Sequence, residues 1–168
     1  MSDYKIWEQA KAMFSQNSCI GVNNCIFVAS KDTRALGMQA GLTGSLGLVG
    51  GAIAGSMASA DGLNSIDYDA LLINQTEKGF GFIPLKTQGI NWTGDLAKMV
   101  ALEDNFFFIG INNIEKITIK DLSFLNRKVK TLRIFLTNGQ KVQLQAKVAE
   151  KVVPYQEQNF AQFMAKYM

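Results

Sequence analysis

Histidine is absent from all 168 residues. That removes the commonest general acid/base, the usual partner of a serine or cysteine nucleophile, and the commonest metal ligand. Cysteine is almost as scarce. Cys19 and Cys25 are the only two, six positions apart in the apolar stretch SCIGVNNCIFVAS. Two are too few for a disulfide framework, and their spacing matches no common zinc pattern. They read as reduced, buried thiols behaving as small apolar residues, the alternative being a disulfide or a reactive pair. Phosphate-cradling and nucleophile-elbow motifs are missing as well: there is no GxxxxGK[ST], no GxSxG, and no GxGxxG opening a helix after a strand. Carboxylate, lysine or tyrosine chemistry remains open. However, the acidic pairs Asp67/Asp69 and Glu103/Asp104 read as solvated strand or turn features, and nothing in the spacing gathers them beside a lysine. No enzymatic activity, metal or cofactor is expected.

Charge of either sign is in short supply. Seventeen basic residues against fourteen acidic ones leave a net charge of +3, too little to steer the whole molecule toward nucleic acid. Aromatics are not interleaved with the charges as a base-stacking platform requires, so nucleic acid is not an expected partner. No apolar run follows a basic start, so no secretory signal is read and the chain is expected to be cytoplasmic. What is present is apolar: 48% of the residues are hydrophobic, enough for one globular domain spanning 1–168 with a real core.

Most of that apolar content follows a two-residue period. Residues 3–15 (DYKIWEQAKAMFS) predict a helix, with Ser2 as its cap and Ile6, Trp7, Ala10, Met13 and Phe14 on one face. A short strand over Cys25 to Ser30 follows. Further strands are expected at 69–74 and 79–86, flanking a polar QTEK turn, and at 106–111 and 114–120, while DLAKMVALED is ambiguous between helix and strand. The clearest element is the hairpin TLRIFLTNGQKVQLQAK. Its apolar residues alternate on both arms, and Asn138-Gly139 is a strong turn signal because both tolerate positive φ. After Pro154, a residue suited to opening a helix, the stripe Phe160, Phe163, Met164 and Tyr167 predicts a terminal helix that plugs a barrel or packs on a sheet. The triple Phe106-Phe107-Phe108 cannot face one way in a strand, nor is Phe135 expected to face inward. A second face must therefore be covered, by the N-terminal helix, by the glycine-rich segment, or by a partner.

The sheet followed by FIPLK, then IEKITIKDLSFLNRKVKTLRIFLTNGQKVQLQAK, then an amphipathic helix, resembles the bacterial PH-like and GRAM-like domains. In this pattern Ile114, Ile117 and Ile119 supply the first strand and Thr137 to Lys141 the hairpin turn. The resemblance covers about residues 66–168, with Cys25 to Ser30 as a further strand. It implies a mainly β (α+β) fold: a PH-like, partly open barrel of about seven strands with a C-terminal capping helix. To this are added an N-terminal helix and a Gly-rich helical or hairpin insertion. Proteins of this fold bind lipid headgroups, peptides or other proteins, so it does not by itself specify a ligand.

Two segments are candidates for function. The insertion, 35–60 (ALGMQAGLTGSLGLVGGAIAGSMASA), carries no charge and seven of the fifteen glycines. Gly47, Gly51 and Gly55 recur every fourth residue, which in a helix leaves a groove for close approach of another helix. Three readings stay open: a single membrane span, since 26 residues at ~1.5 Å reach about 39 Å; a re-entrant or self-assembling hairpin breaking at Gly50-Gly51; or a segment packed on the protein's own barrel. The second candidate is basic. From Glu115 to Lys151 nine lysines and arginines face three acids, with Lys116, Thr118 and Lys120 on one strand face and Arg127, Lys128 and Lys130 crowding a turn. Together with Lys31 and Arg34 before the insertion, these suit anionic headgroups; the alternative is a solvated outer sheet face whose lysines discourage aggregation. The expected function is a non-catalytic binding module. It associates with a membrane surface or anionic lipid, at the inner face of the membrane, or self-associates through the glycine-rich segment. The alternative is a soluble protein–protein adaptor or assembly subunit without lipid affinity.

Overall fold

The computed structural model describes residues 3–31, 68–91 and 93–168. Within them the fold is mainly β. One antiparallel sheet contains β1 (Cys25–Lys31), β2 (Ala70–Thr76), β3 (Gly79–Thr87), β4 (Met99–Ala101), β5 (Phe107–Gly110), β6 (Ile114–Ser123), β7 (Asn126–Leu136) and β8 (Lys141–Lys147). Helix α1 (Trp7–Gln16) precedes it and α2 (Gln156–Tyr167) follows. The strand order is β4-β3-β2-β1-β8-β7-β6, with β5 also paired to β3, and the sheet does not close. The eighth strand comes from DLAKMVALED: Leu96–Lys98 makes one 3₁₀ turn, and Met99–Ala101 then pairs with β3.

The two halves of the sheet differ because their sequences do. β2 and most of β3 are near-continuous apolar runs, so both faces need cover. One face, with Phe27, Leu71, Ile73, Phe80 and Phe82, packs on Phe160 and Phe163 of α2. The other, with Ile26, Val28, Leu72, Ile83 and Leu85, packs on Ala10, Met13 and Phe14 of α1. The phenylalanine triple divides accordingly. Phe107 stacks on Phe82 in the first core, while Phe106 meets Phe14 edge-on at 6.4 Å in the second. The N-terminal helix therefore covers the second face there. β7 and β8 instead alternate, burying Leu132, Ile134, Leu136, Val142, Leu144 and Ala146 and turning Lys141, Gln143 and Gln145 outward.

Three local expectations change. The first helix starts at Trp7, because Asp3 Oδ1 takes the Lys5 N–H at 3.0 Å and turns the chain locally; Ile6 becomes an extended cap, 48% exposed, and Ser2 lies outside the described residues. Gln75 and Thr76 stay in β2, so the first hairpin turns on Glu77 and Lys78 alone. In the β7–β8 turn only Gly139 takes positive φ, at +87°. Gly139 N–H bonds to Leu136 O at 3.0 Å and Asn138 Oδ1 accepts the Gln140 N–H at 3.0 Å, which makes a type I turn closed by a glycine bulge.

Among the described residues, β1 and β8 pair only at Ser30 and Lys31, and the seam between them opens from there toward Cys25. The rest of that opening is sealed by α2. Asn159 Nδ2 donates to Ile26 O at 2.8 Å, and the Gln156 amide donates to Val28 O at 3.0 Å and to Lys147 O at 2.8 Å. The C-terminal helix thus completes the sheet through side chains as well as filling its core.

Candidate functional site

β6 and β7 are ten and eleven residues long, the longest described strands. β8 stops pairing at Lys147, opposite Val129, and the Val148 N–H to Lys128 O bond at 2.9 Å is the last link on that side. Asn126 to Lys128 and the end of β6 therefore continue as a two-stranded ribbon. The β6 arm advances two residues from Asp121 to Ser123 while β7 uses four, so the ribbon reaches about 7 Å beyond the Asp121–Lys130 pair before it turns.

The turn itself is Phe124-Leu125, 82% and 92% exposed. Two-residue hairpin turns ordinarily use asparagine, aspartate or glycine, so two large apolar residues here are not explained by turn chemistry. Ser123 Oγ accepts the Asn126 N–H at 3.1 Å and closes the loop, and the register shifts between Asp121 and Ser123. The Arg127 guanidinium lies over the Phe124 ring, 5.5 Å from its centre.

Basic side chains surround this tip. Lys120, Arg127 and Lys128 are exposed, and Lys130 pairs with Asp121, the one acidic residue of the ribbon. Arg127, Lys128 and Val129 stand against Leu122 alone, in the irregular stretch between Asn126 and Lys130. Lys120 pairs opposite Thr131, on the outer face of the ribbon. Lys116 continues that outer row, while Arg133 is half-buried and donates to Gln143 Oε1 at 2.8 Å.

Of the basic residues picked out by the sequence, Arg127, Lys128 and Lys130 are brought together here. Lys31 is not. It pairs with Leu144, in the row of Leu132, five residues up β7 from Arg127 and two strands away, roughly 20 Å. Its ammonium sits over the Tyr68 ring at 5.0 Å. Arg34 and the glycines Gly47, Gly51 and Gly55, with all of 35–60, lie outside the described residues. Phe124 and Leu125 were not singled out by the sequence reading; apolar residues where a turn between two strands is expected were the available signal.

The remaining chemical groups are committed internally. Cys25 belongs to the α2-side core and Cys19 to the α1-side core, so both are free and cannot meet. Burial pushes each thiol up to about 11, and Cys25 Sγ donates to Asn159 O at 2.8 Å. Partial burial raises the Asp69 carboxyl, but the Thr87 N–H at 2.8 Å and the Lys86 ammonium at 3.6 Å outweigh it and hold it below its ordinary value. Asp67 lies outside the described residues, and Glu103 and Asp104 form a 3₁₀ turn. Among the described residues no three His, Cys, Asp or Glu side chains come together as a metal site. An open groove of about 640 Å³ runs between Val22–Cys25 and Gln162, Ala165 and Lys166. Two of its polar side chains are already engaged, Asn24 with Gly21 and Lys166 with Gln75.

No family model, curated protein or solved structure matches this chain. Function has to be read from its own geometry. Among the described residues, no helix is long and apolar enough to cross a membrane.

Proposed function

We propose that this chain is a non-catalytic binding module that associates peripherally with anionic membrane surfaces through its β6–β7 hairpin. The carrying observation is that hairpin's projecting end, where Lys120, Arg127 and Lys128 are exposed and the single acid is neutralised by Lys130. Each basic residue near an anionic leaflet contributes about 1 kcal/mol, so these three supply about 3 kcal/mol in a chain whose overall charge supplies little. In this reading the open sheet with α2 packed against one face is a PH-like, partly open barrel. The antiparallel order, the two hairpins of its C-terminal half and the terminal helix support that assignment. The setting is the cytoplasmic leaflet, where anionic lipid is concentrated.

Flotation of the full-length chain with neutral and anionic phosphatidylserine-containing liposomes, side by side, tests the reading. Flotation with anionic vesicles, lost in the Arg127→Glu/Lys128→Glu variant, is the expected result. A chain that stays unbound with anionic vesicles even at low salt overturns it.

A further inference from the structure

We infer that Phe124 and Leu125 form an insertion wedge that enters the headgroup–acyl boundary of an anionic bilayer, with Arg127 and Lys128 as its phosphate-level collar. This rests on the membrane reading above and adds to it a mode of attachment: penetration, and not surface charge alone.

Four features of the tip lead to it. First, the two side chains are adjacent, large and 82% and 92% exposed, and they sit at the extremity of a ribbon with no turn requirement for them. Second, polarity is graded along the ribbon. The apolar pair occupies the tip; Arg127 and Lys128 follow two to four residues behind; the Asp121–Lys130 pair comes next. The backbones of Arg127 and Lys128 therefore branch roughly 7 to 13 Å of chain behind the apolar pair, while the Arg127 guanidinium reaches forward to 5.5 Å from the Phe124 ring centre. Apolar side chains rest about 5 to 10 Å deep in the interface while basic ones on flexible stems stay at the phosphates, and this grading suits that arrangement.

Third, the charges are not confined to one face of the ribbon: Lys120, opposite Thr131, and Lys130, the next residue of β7, lie on opposite faces, with Arg127 and Lys128 in the irregular stretch between Asn126 and Lys130. A protein partner lies against one face of a hairpin; headgroups surround a hairpin that enters them. Fourth, among the described residues the acids near the ribbon are already paired. Asp121 is held by Lys130, and Glu150, near the base of the ribbon, is paired with Lys147 at 3.1 Å. The Arg127–Phe124 stacking keeps the cation beside the apolar tip, so the two contributions act at one spot.

The wedge separates binding into a salt-sensitive component from the collar and a salt-resistant one from the tip. Wild type, Phe124→Ala/Leu125→Ala and Arg127→Glu/Lys128→Glu are compared by flotation with neutral and phosphatidylserine-containing vesicles at 0.05 to 0.5 M salt. The alanine variant is expected to bind anionic vesicles roughly tenfold or more weakly than wild type and to lose the residual binding at high salt, where wild type retains some. Its melting curve should match wild type, since both side chains are exposed. In a second measurement, Leu125→Trp adds emission that brominated lipids quench most strongly when bromine is high in the acyl chain. If wild type floats with anionic vesicles but the alanine variant floats equally well at every salt concentration, or bromolipids leave the new emission unchanged, the wedge is overturned while the membrane reading stands. If wild type itself never floats, both fall, and the tip is left to a protein partner.

Discussion

The side-chain amide of Gln156, in the first turn of α2, pairs with both backbone groups of Val28 in β1: Oε1 accepts its N–H at 2.8 Å and Nε2 donates to its carbonyl at 3.0 Å. A glutamine thus stands in for the strand neighbour that β1 lacks beyond Ser30. The same Nε2 reaches Lys147 O at 2.8 Å, so one buried side chain ties helix, β1 and β8 together.

Gln156→Leu should therefore leave both buried backbone groups of Val28, and the part-buried Lys147 carbonyl, without their partner. Each such group costs about 1–3 kcal/mol, and partial relaxation brings the expected loss to about 3 kcal/mol. Urea unfolding checks this as a lower midpoint at an unchanged slope. A loss below about 1 kcal/mol would mean that water replaces the amide.

Gly81 is required by packing. A Cβ there would lie 2.4 Å from Cys19 Sγ and 2.9 Å from the Phe106 ring. Gly81→Ala should destabilise by about 1–3 kcal/mol. Adding Cys19→Ala should recover part of that loss, giving a coupling of at least about 0.5 kcal/mol in a double-mutant cycle. Strict additivity would place the clash elsewhere.

Stability should fall at alkaline pH before any surface group explains it. Both thiols ordinarily titrate near 9 and are pushed up to about 11 by burial. Between those values the unfolded chain gives up protons that the folded chain keeps, so stability is whole below pH 9 and declines toward pH 11. The slope is at most about 1.4 kcal/mol per pH unit for each thiol. Burial raises Tyr68 to about 12, which extends the decline. Urea midpoints from pH 7 to 11 should be flat and then drop, and the drop should shrink in a cysteine-free variant.

Asp121→Asn should strengthen binding to anionic vesicles. It removes the ribbon's one acid and releases Lys130 from its ion pair. One extra effective charge at about 1 kcal/mol corresponds to roughly fivefold. Unchanged or weaker affinity, measured by vesicle titration at 0.1 M salt, would mean that the hairpin does not face the lipid.

Much of the architecture was legible in local pattern. Alternation over Thr131–Lys147 and the stripe at Phe160, Phe163, Met164 and Tyr167 depend on residues a few positions apart, and periodicity reports such neighbours directly. Met99–Ala101 was not legible. Three residues carry no period, and only the edge of β3 makes them a strand. The Asn138-Gly139 turn was legible in place but not in type, because a glycine bulge and a two-residue turn use the same residue pair. In the candidate site the basic cluster at Arg127, Lys128 and Lys130 was visible as composition. Its separation from Lys31 was not, since register across β7, β8 and β1 decides that distance.

By itself, then, the sequence determined the absence of histidine chemistry, the two-residue period of the sheet and the apolar stripe of the last helix, all properties of residue identity and short spacing. Tertiary structure alone decided that β8 stops pairing at Val129, three residues short of the start of β7, which leaves Phe124 and Leu125 in solvent and not under a neighbouring strand. Exposure depends on which distant segment arrives beside a residue. No local pattern encodes the point at which a partner strand, separated by a turn and a whole hairpin arm, stops pairing.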